Sequence, residues 1–287
     1  MIVDSHAHYS HRTFDRDPCF YLTLEGGDYA RREGSLHTLF AELEAAGVVC
    51  SIEPAIDLAS NQRLLDFCRA HPGRVFPAVG LHPTRTPAAS WANRRRLDGF
   101  ARVPGVAAIG ETGLDYHLPR REQHRLCQLR WFWYQLRLAR TMQLPLILHV
   151  RDAYRDAARV LTLFGPHAPG GVLHCYRSDW PNAQRFLALG LHLGIGGALL
   201  QQDAQALEEV VRRAPLERIL IETDAPYVLP DCGGRLSGKQ CRTTANTSLI
   251  LPRVIRRIAA LRGIPPEEAE QATAENAVRL FRLPIEP

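Results

Sequence analysis

Eight short aliphatic runs, each leading into a turn and then a longer helical pattern, constrain this chain more than any other feature. The runs are Ile2–His6, Val48–Glu53, Val75–Leu81, Val106–Gly110, Leu144–His149, Gly171–His174, Leu191–Ile195 and Arg218–Glu222. Between them, Leu36–Ala46, Asn61–His71, Trp91–Arg102, Arg121–Met142, Ala153–Phe164, Trp180–Leu189 and Ala204–Arg213 read as helices. Strand–helix alternation predicts a parallel sheet with crossover helices. Eight such units suit closure into a (β/α)₈ barrel, an α/β fold, better than an open sheet. A chain of 287 residues, 46% hydrophobic and 23% charged, has the length and apolar content for one barrel domain spanning 1–287. After the last run, Leu249–Arg262, Pro266–Ala272 and Glu275–Phe281 are expected as helices that complete the outer ring.

Two segments exceed a minimal barrel, 10–34 after the first strand and 228–245 after the last. Both leave the C-terminal face, where barrel enzymes place their chemistry, and both are expected to wall a substrate site.

Ligand-type residues gather at that same face. The first run ends in Asp4-Ser5-His6-Ala7-His8, and alternation along a strand lets His6 and His8 face one ion. The fourth runs into Gly110-Glu111-Thr112-Gly113-Leu114-Asp115. The fifth ends at His149, the sixth at His174, and the eighth in Glu222-Thr223-Asp224. A single buried histidine is ordinarily a satisfied core residue. Six ionisable groups at one rim would be costly without cations to neutralise them.

Four histidines and two carboxylates exceed the needs of one ion, so two divalent ions are expected, Mg²⁺, Mn²⁺ or Zn²⁺ by their donor preferences. Glu111, from a middle strand, is expected to bridge them. His6, His8 and Asp224 would complete one site, and His149 and His174 the other. Such ions lower the pKa of water and clamp the oxygens of a phosphoester, which predicts hydrolysis. Asp224 is the candidate to orient or deprotonate the water.

Other polar residues are placed by position. His82, in Val79-Gly80-Leu81-His82-Pro83, shares the rim and is expected to contact substrate or transition state. Glu222, two residues before Asp224, is expected to support the site from a deeper layer, and Asp4 to hold a ligand imidazole. Arg151 has two readings, a phosphate contact or an ion pair with Asp152 or Asp115. The loop Gly233–Arg242, with glycines and three cations, has two readings, a contact to a phosphodiester chain or a solvated surface loop. Arg94-Arg95-Arg96, Arg120-Arg121 and Arg256-Arg257 read as solvated helix faces, and Trp131, Trp133 and Tyr134 as packing.

Together these motifs resemble the TatD-type deoxyribonuclease family of metal-dependent hydrolases. The resemblance rests on Asp4–His8, Val79–Pro83, Gly110–Tyr116, His149–Ala153, His174–Tyr176, Glu222–Tyr227 and Ala272–Phe281, and covers nearly the whole chain. It implies a (β/α)₈ barrel, a dinuclear centre at the six positions above, and 3′-to-5′ cleavage of DNA phosphodiesters. It also implies that His82 and Glu222 lie near the substrate. The connection after the first strand is longer than the family's usual link. Arg242-Thr243-Thr244-Ala245-Asn246-Thr247-Ser248 stands where the family has an Arg-x-Asn-Glu-Pro-like element.

Composition trims the alternatives. Lys239 is the only lysine, so no carboxylated lysine on the fourth strand bridges the ions as in many amidohydrolases. A deacylase acting on a carboxylic ester such as aminoacyl-tRNA, or an amidohydrolase, remains the rival enzyme class. RNA or another ester is the rival substrate. A non-catalytic barrel would lack ligands, and none is missing. A net charge of +5 is too small to argue for nucleic acid unaided. Seven cysteines, an odd number without a Cys-x-x-Cys pair, predict reduced thiols. No apolar run approaches the ~20 residues of a membrane span, and the Met1–His6 start lacks signal-peptide features, so a cytoplasmic location is expected.

Overall fold

A computed structural model describes residues 1–117 and 121–286, with the side chains of 121–123 left aside. The ten strands are β1 (Ile2–Asp4), β2 (Cys19–Glu25), β3 (Asp28–Gly34), β4 (Val48–Pro54), β5 (Val75–Val79), β6 (Ala108–Asp115), β7 (Leu146–Arg151), β8 (Gly171–Leu173), β9 (His192–Ile195) and β10 (Ile219–Ile221). The helices are α1 (Leu36–Ala45), α2 (Leu58–Ala70), α3 (Arg94–Ala101), α4 (Arg121–Met142), α5 (Tyr154–Phe164), α6 (Trp180–Ala188), α7 (Gln205–Arg213), α8 (Gly238–Thr243), α9 (Leu251–Arg262) and α10 (Pro266–Phe281).

All eight expected strands form one parallel sheet, in the order β1-β4-β5-β6-β7-β8-β9-β10. Its two edges meet just beyond β1 and β10. There Ser5 N–H donates to Ile221 O at 3.0 Å, Asp224 N–H to His6 O at 2.8 Å and His8 N–H to Ala225 O at 2.7 Å. The hydrogen bonds that close the barrel therefore run through the segments that carry His6, His8 and Asp224.

Apolar strand residues fill the interior. Val3, Ile52, Ala78, Ile147, Val172 and Leu220 cluster with Leu280 and Phe281 of α10. That helix lies across the N-terminal strand ends, where Asn276 Nδ2 donates to Leu216 O and Ile219 O, each at 2.9 Å. It corrects the expectation of two helices, because 266–281 is continuous. Nothing between Ala272 and Glu275 breaks a helix, and Thr273 is absorbed by donating its hydroxyl to Ala269 O at 2.8 Å. The fourth barrel strand also sits later than its aliphatic run: β6 covers 108–115, so Glu111 lies within the strand and not past its end.

The 10–34 connection contains a β-hairpin. β2 and β3 pair antiparallel around Gly26-Gly27, with φ of 59° and 89°. This is the two-residue turn with both central residues left-handed, which glycine adopts without steric cost. Leu22 N–H donates to Ala245 O and Ala245 N–H to Phe20 O, both at 2.8 Å, so β2 docks on the 228–245 loop. Leu22 and Tyr29 pack with Cys232, Leu236 and Ile250, and Arg235 pairs with Asp28 at 2.9 Å. That loop turns into α8, capped by Ser237. The two elaborations therefore brace each other.

All seven cysteines are unpaired. Trp131 is 2% exposed and packs against Trp91 and Tyr134, as expected, whereas Trp133 is 41% exposed. Arg120 lies outside the described residues. Among the described residues no helix is long and apolar enough to cross a membrane.

Candidate metal centre

Glu111 stands at the middle of a cluster drawn from five strand ends. Its Oε2 lies 3.7 Å from His6 Nε2 and 3.8 Å from His8 Nε2. Its Oε1 lies 2.8 Å from His174 Nε2, 3.3 Å from His149 Nδ1 and 3.6 Å from His82 Nε2. One carboxylate thus turns its two oxygens toward two sets of imidazoles.

The first set is completed by Asp224, whose Oδ1 is 3.5 Å from His6 Nε2 and 3.4 Å from His8 Nε2, with the two nitrogens 3.2 Å apart. A tetrahedral ion with bonds of about 2.0–2.2 Å spaces its ligands about 3.3–3.6 Å apart, so these three atoms stand as one ion's donors would. In the second set His149 Nδ1 and His174 Nε2 are 3.1 Å apart. An all-nitrogen-and-oxygen donor set suits Zn²⁺, Mn²⁺ or Mg²⁺, and the residues present fit a divalent cation.

Electrostatics point the same way. The surrounding imidazoles of His174, His82 and His149 overcome burial and hold the Glu111 carboxyl well below its usual range. Burial and the neighbouring His174 hold His6 well below its usual value, so its ring is neutral. His8 and His149 rise to about 9 against the effect of burial, because Asp224 and Asp115 respectively lie beside them. The carboxylates thus demand positive charge at these rings, which protons supply when no cation does.

The remaining rim residues divide into those that face the centre and those behind it. His82 Nδ1 accepts the Thr84 N–H at 3.1 Å, and burial lowers its pKa to about 3. Its ring is therefore neutral with the hydrogen on Nε2, the nitrogen aimed at the centre. Glu222 lies behind His174, 1% exposed, with Oε1 accepting the Cys175 N–H and standing 3.9 Å from His174 Nδ1. It lines neither cavity at the centre; burial and Asp224 push its pKa well up. Asp4 accepts the backbone N–H of His6 at 3.1 Å and the hydroxyls of Thr223 and Ser248, each at 2.6 Å, so it holds chain segments and no imidazole.

Two residues gain roles that the sequence reading left out. Asp115 Oδ2 takes His149 Nε2 at 2.9 Å, which fixes that ring with Nδ1 toward the centre. The signal was present, since Asp115 follows Glu111 by four residues on one strand and so shares its face. This also removes Asp115 as a partner for Arg151, while Asp152 meets His117 at 2.9 Å; Arg151 itself is exposed. Tyr227, 43% exposed, stands edge-on to His8 with ring centroids 6.0 Å apart.

Cys175 and Asp224 have φ of 47° and 55°. Non-glycine residues held there cost ~1–3 kcal/mol each and persist where the surroundings over-determine them.

The centre opens into two cavities that share His8, Ile56, Arg85 and Tyr227. One, of about 220 Å³, includes Glu111, His149, His174 and Asp224. The other, of about 320 Å³, is lined by Arg12, Arg63 and Arg85. Arg235, Lys239 and Arg242, the expected phosphate-facing cations, line neither. Their loop is committed to the hairpin.

Relatives agree with this architecture. A profile of the TatD related DNase family matches residues 3–282. An uncharacterized metal-dependent hydrolase TatD of Mycobacterium tuberculosis is 36% identical, over 88% of this chain and 94% of its own length. A 3′-5′ ssDNA/RNA exonuclease TatD of Erwinia billingiae is 33% identical, over 83% of this chain and 90% of its own. Among solved structures, the TatD homolog YjjV of Escherichia coli superposes with a TM-score of 0.81 at 27% identity, covering 99% of this chain and 98% of that one. The chain belongs to the TatD related DNase family.

Proposed function

We propose that this protein is a divalent-metal-dependent hydrolase of nucleic-acid phosphodiesters that shortens single strands from the 3′ end. The observation that carries the reading is Glu111, with its two oxygens directed at two separate imidazole sets. His6, His8 and Asp224 would hold one divalent ion and His149 and His174 a second, with Glu111 standing between the two sets. Two ions bound there would lower the pKa of water and neutralise charge on the scissile phosphate.

The chain's own residues supply position and proton transfer. Asp224, at the mouth of the cluster, accepts the proton of the attacking water. His82 donates its Nε2–H to a phosphoryl oxygen, a donor that stays neutral and singly protonated at physiological pH. Asp115 keeps His149 in the orientation that ligation requires. Glu222 braces the backbone after His174 and takes no direct part.

The substrate class draws support from the cleft and from relatives. Arg85 at the junction of the two cavities and Arg12 in the outer one, with Arg63 already paired to Asp15, favour a polyanion over a neutral amide or a carboxylic ester. The Erwinia billingiae relative is named for single-stranded DNA and RNA.

End-labelled single-stranded DNA and RNA, incubated with Mg²⁺, Mn²⁺, Zn²⁺ or EDTA, test the reading. The expected result is metal-dependent shortening from the 3′ end, slowed at least ~100-fold by Asp224→Asn with the circular dichroism spectrum unchanged. Intact strands in every metal, or full activity in that variant, would overturn it.

A further inference from the structure

The larger cavity holds groups that bond cleavage at the centre leaves without a task. Arg12 and Arg85 are exposed and face it, and among the described residues neither meets a carboxylate. Arg85 also lines the smaller cavity, so it stands where the two join, whereas Arg12 lines only the outer one. Tyr227 borders both and presents an exposed ring.

Arg63 differs from the other two arginines. Its Nε donates to Ser10 O at 2.6 Å and its Nη2 to Asp15 Oδ1 at 2.5 Å. These bonds tie α2 to the segment that follows β1, and Arg63 lines only the outer cavity. The resulting space, about 320 Å³, falls at the low end of the ~300–1,000 Å³ typical of small-ligand pockets. Its volume matches one small unit.

We infer that this cavity is a terminal-nucleotide pocket, in which Tyr227 stacks the base beyond the scissile bond and Arg12 and Arg85 bind a phosphate on that nucleotide's 3′ oxygen. An aromatic face accepts any base, and two guanidiniums match the charge and shape of a phosphate. The inference rests on the proposed phosphodiester cleavage and adds three consequences. Products leave one nucleotide at a time. The terminal base must be unpaired to enter. Ends that carry a 3′-phosphate are preferred to 3′-hydroxyl ends.

Nucleotide binding tests this apart from catalysis. Titration calorimetry of the full-length Mn²⁺-loaded protein would compare thymidine 5′-monophosphate with thymidine 3′,5′-bisphosphate. The bisphosphate should bind about tenfold more tightly, the factor equivalent to ~1.4 kcal/mol. In an Arg12→Gln/Arg85→Gln variant the ratio should fall to about one, and Tyr227→Ala should weaken both ligands while the ratio holds. Equal affinities in the wild-type protein, or a ratio that survives in the double variant, would overturn the pocket. Cleavage of 3′-hydroxyl DNA, run in parallel, separates the two ideas. Cleavage without phosphate discrimination sinks the pocket and leaves the nuclease. Discrimination without cleavage in any metal sinks the nuclease and leaves a nucleotide site. Products two or more nucleotides long would refute a pocket sized for one nucleotide.

Discussion

Asp115 shows how much of the proposed metal centre depends on groups set behind the proposed ligands. Its carboxylate takes one nitrogen of His149 at 2.9 Å, so the other faces Glu111. Substitution by Asn keeps the shape but loses the charge that favours this orientation, and outer partners of this kind are worth ~10–100-fold in metal affinity or activity. Asp115→Asn should therefore weaken Mn²⁺ binding by that factor, measured by calorimetry, with an unchanged melting profile of the metal-free protein. Wild-type affinity would show that packing alone orients His149. At this scale the proposed ligands are legible in the sequence because a barrel delivers strand ends to one rim, and His6, His149, His174 and Asp224 each follow an aliphatic run. Arg12 and Arg85 are not legible, since an isolated arginine in a connection has neither period nor spacing. The approach of Arg12 to the outer cavity depends on how the Ser10–Asp15 segment is tied to Arg63, a contact 48 residues apart in sequence.

Elements follow local chemistry where their signals are repeated and escape notice where a signal occurs once. The barrel strands announce themselves eight times over. The hairpin has one announcement, Gly26-Gly27 between two runs of seven residues, inside a segment whose arginines and acids suggest a solvated loop. Its burial comes from outside, through Ala245 and the Cys232–Leu236 cluster, and a partner more than two hundred residues away leaves no local trace. The turn itself is testable. Both glycines are left-handed, and a Cβ added to either would meet nothing within 4 Å, so a side chain brings backbone strain and no clash. The double substitution Gly26→Ala/Gly27→Ala is expected to cost about 1–2 kcal/mol per residue. The Gly26→Asn variant, which keeps Gly27, suits the same turn and should cost far less. Urea midpoints would report the difference, together with amide exchange at Leu22 and Ala245. Equal midpoints for the two variants would remove the left-handed turn as the reason for these glycines.

Across the whole molecule, the barrel separates function from stability along its axis. The C-terminal rim concentrates charge, strained backbone and the cleft. The opposite end is mostly apolar, its polar groups being α10's bonds to the strand ends, the Met1 ammonium paired with Glu270, and His192, the first residue of β9, with Arg218 and Arg279 near it. His192 is 9% exposed, with its Nδ1 3.3 Å from Gly171 O. Burial, reinforced by the nearby Arg218 and Arg279, lowers its pKa from 6.5 to about 4. The sign of the linkage follows directly. Above pH 6.5 the ring is neutral in both folded and unfolded chains, and its contribution is fully present. Between pH 6.5 and about 4 the unfolded chain binds a proton that the folded chain refuses, so stability falls as the pH drops. A depression of this size amounts to about 3 kcal/mol across the window. Groups at the metal rim titrate too, so the test is a difference: urea unfolding of the wild-type protein and of His192→Asn, each from pH 7 to pH 4.5. Asn retains a donor for Gly171 O and has no proton to gain. The wild-type protein should lose about 2–3 kcal/mol more than the variant over that range. Parallel pH profiles would mean that proton uptake by His192 plays no part in the acid unfolding of this barrel.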